Sequence, residues 1–179
     1  MTNDDDLWIF AYGSLLWDPG FVPADSVRAR LDGWRRSFCM WSHRFRGTEE
    51  SPGLVLALDQ DPNASCEGLV LRVAPDEVDE VMAALRGREL VTGAYEERVL
   101  PLDLADGRSL PAVTYVIRRD HPQYACVDAD TQARTIARAQ GQRGPNIDYL
   151  TRTVAQLNRH GIHDPELGAL LTHTQALVL

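Results

Sequence analysis

Apolar and polar positions along the chain follow two periods in turn. The run Leu7-Trp8-Ile9-Phe10-Ala11-Tyr12 is continuously apolar and halts at Gly13, the pattern of a short buried strand entering a loop. Segments 31–41, 53–59 and 67–73 carry strand-type residues, the second bounded by Pro52 and Asp61, and predict three more strands. At Ala74-Pro75-Asp76-Glu77 the pattern changes, with proline and acids suited to a helix N-terminal turn. Val78, Val81, Met82 and Leu85 then recur on one helical face and predict a helix to Arg86, with Glu89 just past its end. Strands over 95–104 and 110–118 flank Asp106-Gly107, a hairpin signal.

The remainder reads as helical. An Ala/Arg/Gln-rich helix is expected over 131–140 and a break over 141–145. Asn146 is expected to cap a helix with the stripe Ile147, Leu150, Val154 and Leu157, ended by Gly161. A last helix is expected over 165–171. Strands, a helix, a hairpin and then helices make an α+β fold, without repeats or low-complexity segments.

Composition narrows the class. The 179 residues suit one domain, residues 1–179, with residues 1–6 a frayed acidic lead. A 44% hydrophobic and 25% charged chain is of ordinary globular composition. With 18 Lys+Arg against 26 Asp+Glu, the net charge of −8 repels polyanions, so no nucleic-acid partner is expected. No apolar run approaches the ~20 residues of a membrane span. The acidic lead lacks the basic region and apolar core of a signal peptide. Cys39, Cys66 and Cys126 form no CxxC pair and read as free thiols in a reducing compartment. The expected location is therefore cytoplasmic; oligomeric state is not encoded in these features.

The first candidate chemistry is the loop Ala11-Tyr12-Gly13-Ser14-Leu15-Leu16. A strand ending in Tyr-Gly-Ser-Leu can turn backbone N–H groups toward a ligand oxygen, helped by a glycine with wide conformational freedom and no side chain. Spacing alone does not separate such a cradle from a plain β-turn. Ser14 as a nucleophile lacks a GxSxG elbow, and neither a GxGxxG nor a Walker pattern is present. His160 and His163 have no third ligand at a characteristic spacing, so no metal is expected. Arg44 and Arg46 are candidates for a carboxylate, and Tyr12, Tyr95 and Tyr149 for hydroxyl donation, against the commoner surface or core roles of these residue types.

The stretch Trp8-Ile9-Phe10-Ala11-Tyr12-Gly13-Ser14-Leu15-Leu16-Trp17-Asp18-Pro19-Gly20-Phe21 resembles the opening of ChaC-type γ-glutamylcyclotransferases, V-F-G-Y-G-S-L-I-W-x-P-G-F. Further similarities follow in order. Gly33 to Phe38 resembles the family's G-x-x-R-x-F, Arg46-Gly47-Thr48 with Pro52-Gly53 its R-G-T…P-G, and Arg88-Glu89 the start of its R-E-M-x-G. His121-Pro122-Gln123-Tyr124 and Gly144 to Leu150 resemble its H-P-x-Y and G-x-N-x-x-Y-L. Ala11 stands where many members have glycine, and Gly87 where an aromatic is common.

This resemblance implies a small mixed β-barrel with flanking helices and a cofactor-free carbon–nitrogen lyase that cleaves glutathione to 5-oxoproline and cysteinylglycine. It further implies that Ala11, Tyr12, Gly13, Ser14, Leu15 and Leu16 hold substrate and that Glu89 is the catalytic acid/base; Tyr95 is the favoured hydroxyl donor. Burial past a helix end, among Leu90 and Val91, is expected to raise the Glu89 pKa. Alternatives of the same sequence are a cyclotransferase for other γ-glutamyl amines or amino acids and a non-catalytic γ-glutamyl-binding module.

Overall fold

The computed structural model describes residues 6–178. The expected fraying of residues 1–5 lies outside the described residues, whereas Asp6 is held by Arg72, Nη1 to Oδ1 3.7 Å. The chain forms two compact units, one from the residues up to Arg36 with Leu58–Arg118, the other from Ser37–Ala57 with the chain from Arg119 on.

The first unit carries most of the barrel strands. Strand β1 (Trp8–Ala11) is buried along its whole length, as its unbroken apolar run requires. It lies antiparallel to β3 (Gly53–Arg72), with Phe10 opposite Val70, and parallel to β5 (Ser109–Ile117), with Ile9 opposite Val113. Strand β2 (Asp25–Ser42) pairs antiparallel with β4 (Tyr95–Leu104) at Ala29 and Leu104. The order β1-β3-β2-β4-β5 closes into a mixed barrel, and β3 also pairs with β5 in parallel at Leu58 and Val116. Closure leaves no open sheet edge. The hairpin turns where expected: Gly107, at φ +88°, sits between β4 and β5, whose register runs from Tyr95↔Ile117 to Asp103↔Ser109.

Two expectations for the strands are corrected. Segments 53–59 and 67–73 belong to one strand, β3, because the backbone stays extended through a middle stretch whose side chains are mostly exposed and so carry no apolar signal. Strand β2 begins at Asp25, six residues before the apolar pattern does, for the same reason.

Helix α1 (Val78–Glu89) buries Val81, Met82 and Leu85, as the periodicity requires. It starts after Glu77 and continues beyond Arg86, so Glu89 is its last residue. Gly87 does not stop it. The turn that does contains Gly93, whose φ of +73° belongs to the left-handed region.

The second unit is helical after its strand segments. Helices α2 (Ala129–Arg138), α3 (Asn146–Arg159) and α4 (Pro165–Val178) pack against one another, and strands β6 (Gln140–Gly141) and β7 (Gly144–Pro145) form a small hairpin at the expected break. Asp128 caps α2 by accepting from Thr131 N at 2.7 Å. Asn146 does not cap α3. Pro145 holds that position, and the Asn146 amide, fully buried, accepts from Leu54 N (2.7 Å) and donates to Leu54 O (2.8 Å). The buried face of α3 is accordingly Asn146, Tyr149, Leu150, Thr153 and Leu157, with Ile147 and Val154 only half-buried. Helix α4 extends seven residues past the expected Leu171, and Gly161 ends α3 at φ +69° as expected.

Candidate functional site

Strand β1 delivers the loop, and its last residues are fixed from several sides. Ala11 is fully buried opposite Leu69. A Cβ on Gly68 would fall on the Ala11 carbonyl oxygen and crowd the Phe10 ring, so the close approach of β3 requires glycine there. The Tyr12 hydroxyl donates to Tyr115 O at 2.7 Å, and buried Arg36 donates Nη1 to both Tyr12 O (3.1 Å) and Glu67 O (2.8 Å). Tyr12 thus serves the core through its side chain.

Gly13 departs from expectation in one respect. Its φ is −138° and its ψ −124°, so the loop does not use left-handed backbone. What glycine contributes here is a backbone without a side chain. Ser14–Leu16 form a single 3₁₀ turn closed by Leu16 N donating to Gly13 O at 2.9 Å. The opening N–H groups of such a turn have no partner within it. Among the described residues no acceptor takes the N–H of Ser14 or Leu15. The side chains of Leu15 and Leu16 are buried and anchor the turn from below.

Helix α1 ends against this loop. Arg88 donates Nη2 to Ser14 Oγ at 2.9 Å and Nη1 to Asp18 O at 2.7 Å, with Asp18 Oδ2 at 3.5 Å from the same nitrogen. Its Nε lies 3.2 Å from Glu89 Oε1. The Glu89 side chain is only 14% exposed. The expected apolar surroundings are found in part: Leu90 is half-buried, but Val91 is 66% exposed and shields nothing. Ser14 Oγ receives a cationic donor where a nucleophile needs a base, so the structure gives no support to hydrolase chemistry at Ser14.

Behind Glu89 lies a second polar group. The Tyr115 hydroxyl donates to Glu97 Oε2 at 3.2 Å, and Arg86 grips Glu97 with two bonds, 2.9 Å from Nε to Oε2 and 2.8 Å from Nη2 to Oε1. The Arg86 hydrogen bonds hold the Glu97 carboxyl below its ordinary value. Burial, then the negative charge of Glu97, pushes the Tyr115 phenol up, and the charge of Glu89 adds to the rise. Tyr95 opens β4 opposite Ile117 and is half-buried. The structure therefore gathers Ser14 and Glu89 around Arg88, sets Tyr12 into the core behind them, and puts Tyr95 at the start of the neighbouring hairpin.

The remaining candidates have other partners. Arg44 donates to Gln142 Oε1 at 3.1 Å and lies over the Phe45 ring. Arg46 is buried, donates to Pro145 O at 3.1 Å and lies over the Tyr149 ring. The Tyr149 hydroxyl accepts from Leu56 N at 3.2 Å. Cys39 and Cys66 are buried and Cys126 is exposed, all as free thiols. Among the described residues no three His, Cys, Asp or Glu side chains gather as a metal requires, and no helix is long and apolar enough to cross a membrane. Sequence reasoning missed the structural work of Arg36 and the hub position of Arg88. For Arg88, adjacency to Glu89 was the available signal.

Comparison with known proteins adds the following. Residues 7–177 match the family model described as ChaC-like protein. The chain is 33% identical over 180 residues to a glutathione-specific gamma-glutamylcyclotransferase of Escherichia coli, covering 98% of this chain and 76% of that protein. It is 31% identical to a glutathione-specific gamma-glutamylcyclotransferase 1 of Danio rerio, covering 100% and 96%. Among solved structures it is similar, with a TM-score of 0.86 and 22% identity over 96% of each chain, to a yeast gamma-glutamyl cyclotransferase specific to glutathione.

Proposed function

The chain belongs to the ChaC-like family, and from that premise we propose that it is a glutathione-specific γ-glutamylcyclotransferase acting as one domain over residues 1–179 in the cytoplasm. The observation that carries the assignment to particular residues is the largely buried Glu89 carboxylate, one guanidinium away from the Ser14 hydroxyl of the loop that follows β1.

The reaction is intramolecular. The α-amine of the γ-glutamyl group attacks its own γ-carbonyl, a five-membered lactam closes, and cysteinylglycine leaves as an amine. No protein nucleophile, water or cofactor enters the balance. Holding the substrate folded is worth much of the rate, since well-oriented intramolecular reactions reach effective molarities on the order of 10⁵ M or more. The loop from Ala11 to Leu16 supplies that clamp. The N–H groups of Ser14 and Leu15, which no acceptor takes among the described residues, are the donors assigned to a substrate oxygen, where fixed donors of this kind stabilise charge.

Glu89 moves the proton. As carboxylate it takes one from the substrate ammonium, freeing the attacking lone pair; as carboxylic acid it returns one to the departing nitrogen. Tyr95 offers a hydroxyl to the same substrate.

The deciding assay follows 5-oxoproline and cysteinylglycine released by the purified protein from glutathione, with γ-glutamyl-alanine beside it. Release from glutathione alone is expected. Preference for γ-glutamyl-alanine moves the chain to the general γ-glutamyl amine enzymes, and glutathione binding by calorimetry without product makes it a binding module.

A further inference from the structure

We propose that Arg88 is a positioning residue for Glu89, one guanidinium that locks the acid/base carboxylate to the substrate loop. The proposal rests on the assignment of Glu89 just made. Neighbouring residues on a helix point about 100° apart around its axis and do not ordinarily face each other, so the 3.2 Å contact between Arg88 Nε and Glu89 Oε1 is not a default surface pair. It exists because the head of Arg88 is held from outside the helix. Nη2 is on Ser14 Oγ and Nη1 on the Asp18 backbone oxygen, at 2.9 and 2.7 Å. All three guanidinium nitrogens have separate partners, and the side chain is 22% exposed.

Three consequences follow. Contact through Oε1 sets the direction in which the Glu89 carboxylate is presented to the substrate nitrogen. The fork fixes the distance from that carboxylate to the Ser14–Leu16 turn, so one rigid planar group sets both halves of the reaction geometry. The positive charge beside Glu89 favours its carboxylate, the form that must accept the first proton. Other groups act on Glu89 as well: the Tyr115 hydroxyl from β5 with Glu97 and Arg86 behind it, and Asp18 on the far side of Arg88. Lysine cannot reproduce the arrangement, because a single ammonium nitrogen does not reach Ser14, Asp18 and Glu89 in one plane.

The test measures kcat and KM for glutathione across pH in Arg88→Lys, Arg88→Gln, Glu89→Gln and the Arg88→Gln/Glu89→Gln pair, with melting temperature recorded for each. Arg88→Lys is expected to lose about ten-fold in kcat with its acidic limb near the wild-type position, since charge is kept and the fork is lost. Arg88→Gln is expected to lose about a hundred-fold, its acidic limb moving to higher pH as Glu89 protonates more readily. The double variant should be no slower than Glu89→Gln alone. Wild-type kcat and pH profile in Arg88→Lys and Arg88→Gln overturn the proposal, as does full activity per folded molecule with only a lowered melting temperature. If Arg88→Gln does not fold, full kcat in Arg88→Lys is by itself the overturning result. Retained turnover in Glu89→Gln instead strikes the functional assignment, so the two failures are told apart.

Discussion

Arg88 and Arg46 both stand in stretches that resemble family motifs, yet their surroundings differ in kind. Arg88 meets a hydroxyl, a backbone carbonyl and two carboxylates, at the partly open end of α1. Arg46 is 5% exposed and meets a backbone carbonyl and an aromatic face, in a region where Asn146 and Tyr149 also spend their polar atoms on the backbone of Leu54 and Leu56. Burial pulls the Arg46 guanidinium down, which an open carboxylate-binding arginine would not show. Glycine use follows the same division. A Cβ on Gly53 would fall on the Arg46 carbonyl oxygen, and one on Gly47 on the Gly53 nitrogen, so those motif glycines are packing requirements. The two regions therefore meet different obligations: one keeps ionisable groups together at a partly open helix end, the other removes polar groups from solvent and satisfies each.

The contrast can be broken most directly at Glu89. Glu89→Gln should reduce 5-oxoproline formation by roughly 10²-fold or more, the usual worth of a general acid/base, while its thermal unfolding stays within a degree or two of wild type, about 0.5 kcal/mol. Loss of folding in step with activity would make Glu89 a structural residue like Asn146. The converse experiment is Asn146→Ala. It strands the N–H and C=O of Leu54 in the interior, and denaturant unfolding should show a loss of about 2–4 kcal/mol. Turnover per folded molecule should be unchanged, and a selective loss of kcat would erase the distinction between the two regions.

Tyr12→Phe tests the seam between loop and core. It removes the buried hydrogen bond to Tyr115 O, for an expected cost of about 1–2 kcal/mol by chemical denaturation, with KM little altered. A KM increase beyond ten-fold, or about 1.4 kcal/mol, would mean that the hydroxyl serves substrate after all.

The smallest effect is in pH dependence. Arg86 holds Glu97 below its ordinary value of 4.5, so the contribution of this carboxylate is complete above that pH and fades as pH falls through the lower folded value. Arg86 is 54% exposed, so solvent screens the pair and Glu97→Gln should flatten the acid limb of stability only slightly. Tyr115 works in the opposite direction: its neutral form is favoured, and its contribution is lost as pH rises through its raised folded value. The phenolate absorbance that Tyr115→Phe removes should therefore appear only above the ordinary tyrosine range.

Local signals carried much of this. The unbroken apolar run ending at Gly13 located β1 and its loop, the Asp106-Gly107 pair located the β4–β5 turn, and the Val81, Met82 and Leu85 spacing located α1 with its buried face. The motif order around them pointed to the family and to a mixed barrel. Those features are local because strand burial, turn conformation and helix periodicity are each set within a few residues. Strand β3 escaped such reading because its middle has no buried face, and backbone hydrogen bonding leaves no trace in side-chain pattern. Glu89 was identified as a candidate but placed beyond α1, since the helix ends where Gly93 can turn and not where Gly87 merely weakens it.

By itself the sequence determined that a short buried strand ends in Tyr-Gly-Ser-Leu, that a helix leads to an Arg-Glu pair, and that the chain's class is α+β. Which groups those residues meet was decided by the tertiary structure. Asn146 had the chemistry of a helix cap and became the partner of Leu54, 92 residues away. Arg88 was legible only as the neighbour of Glu89 and became the joint between Glu89 and Ser14, 74 residues away. The reason is the same in each case: a polar side chain states which bonds it can make, but only long-range folding brings one particular donor or acceptor within 3 Å and removes the water that would otherwise take its place.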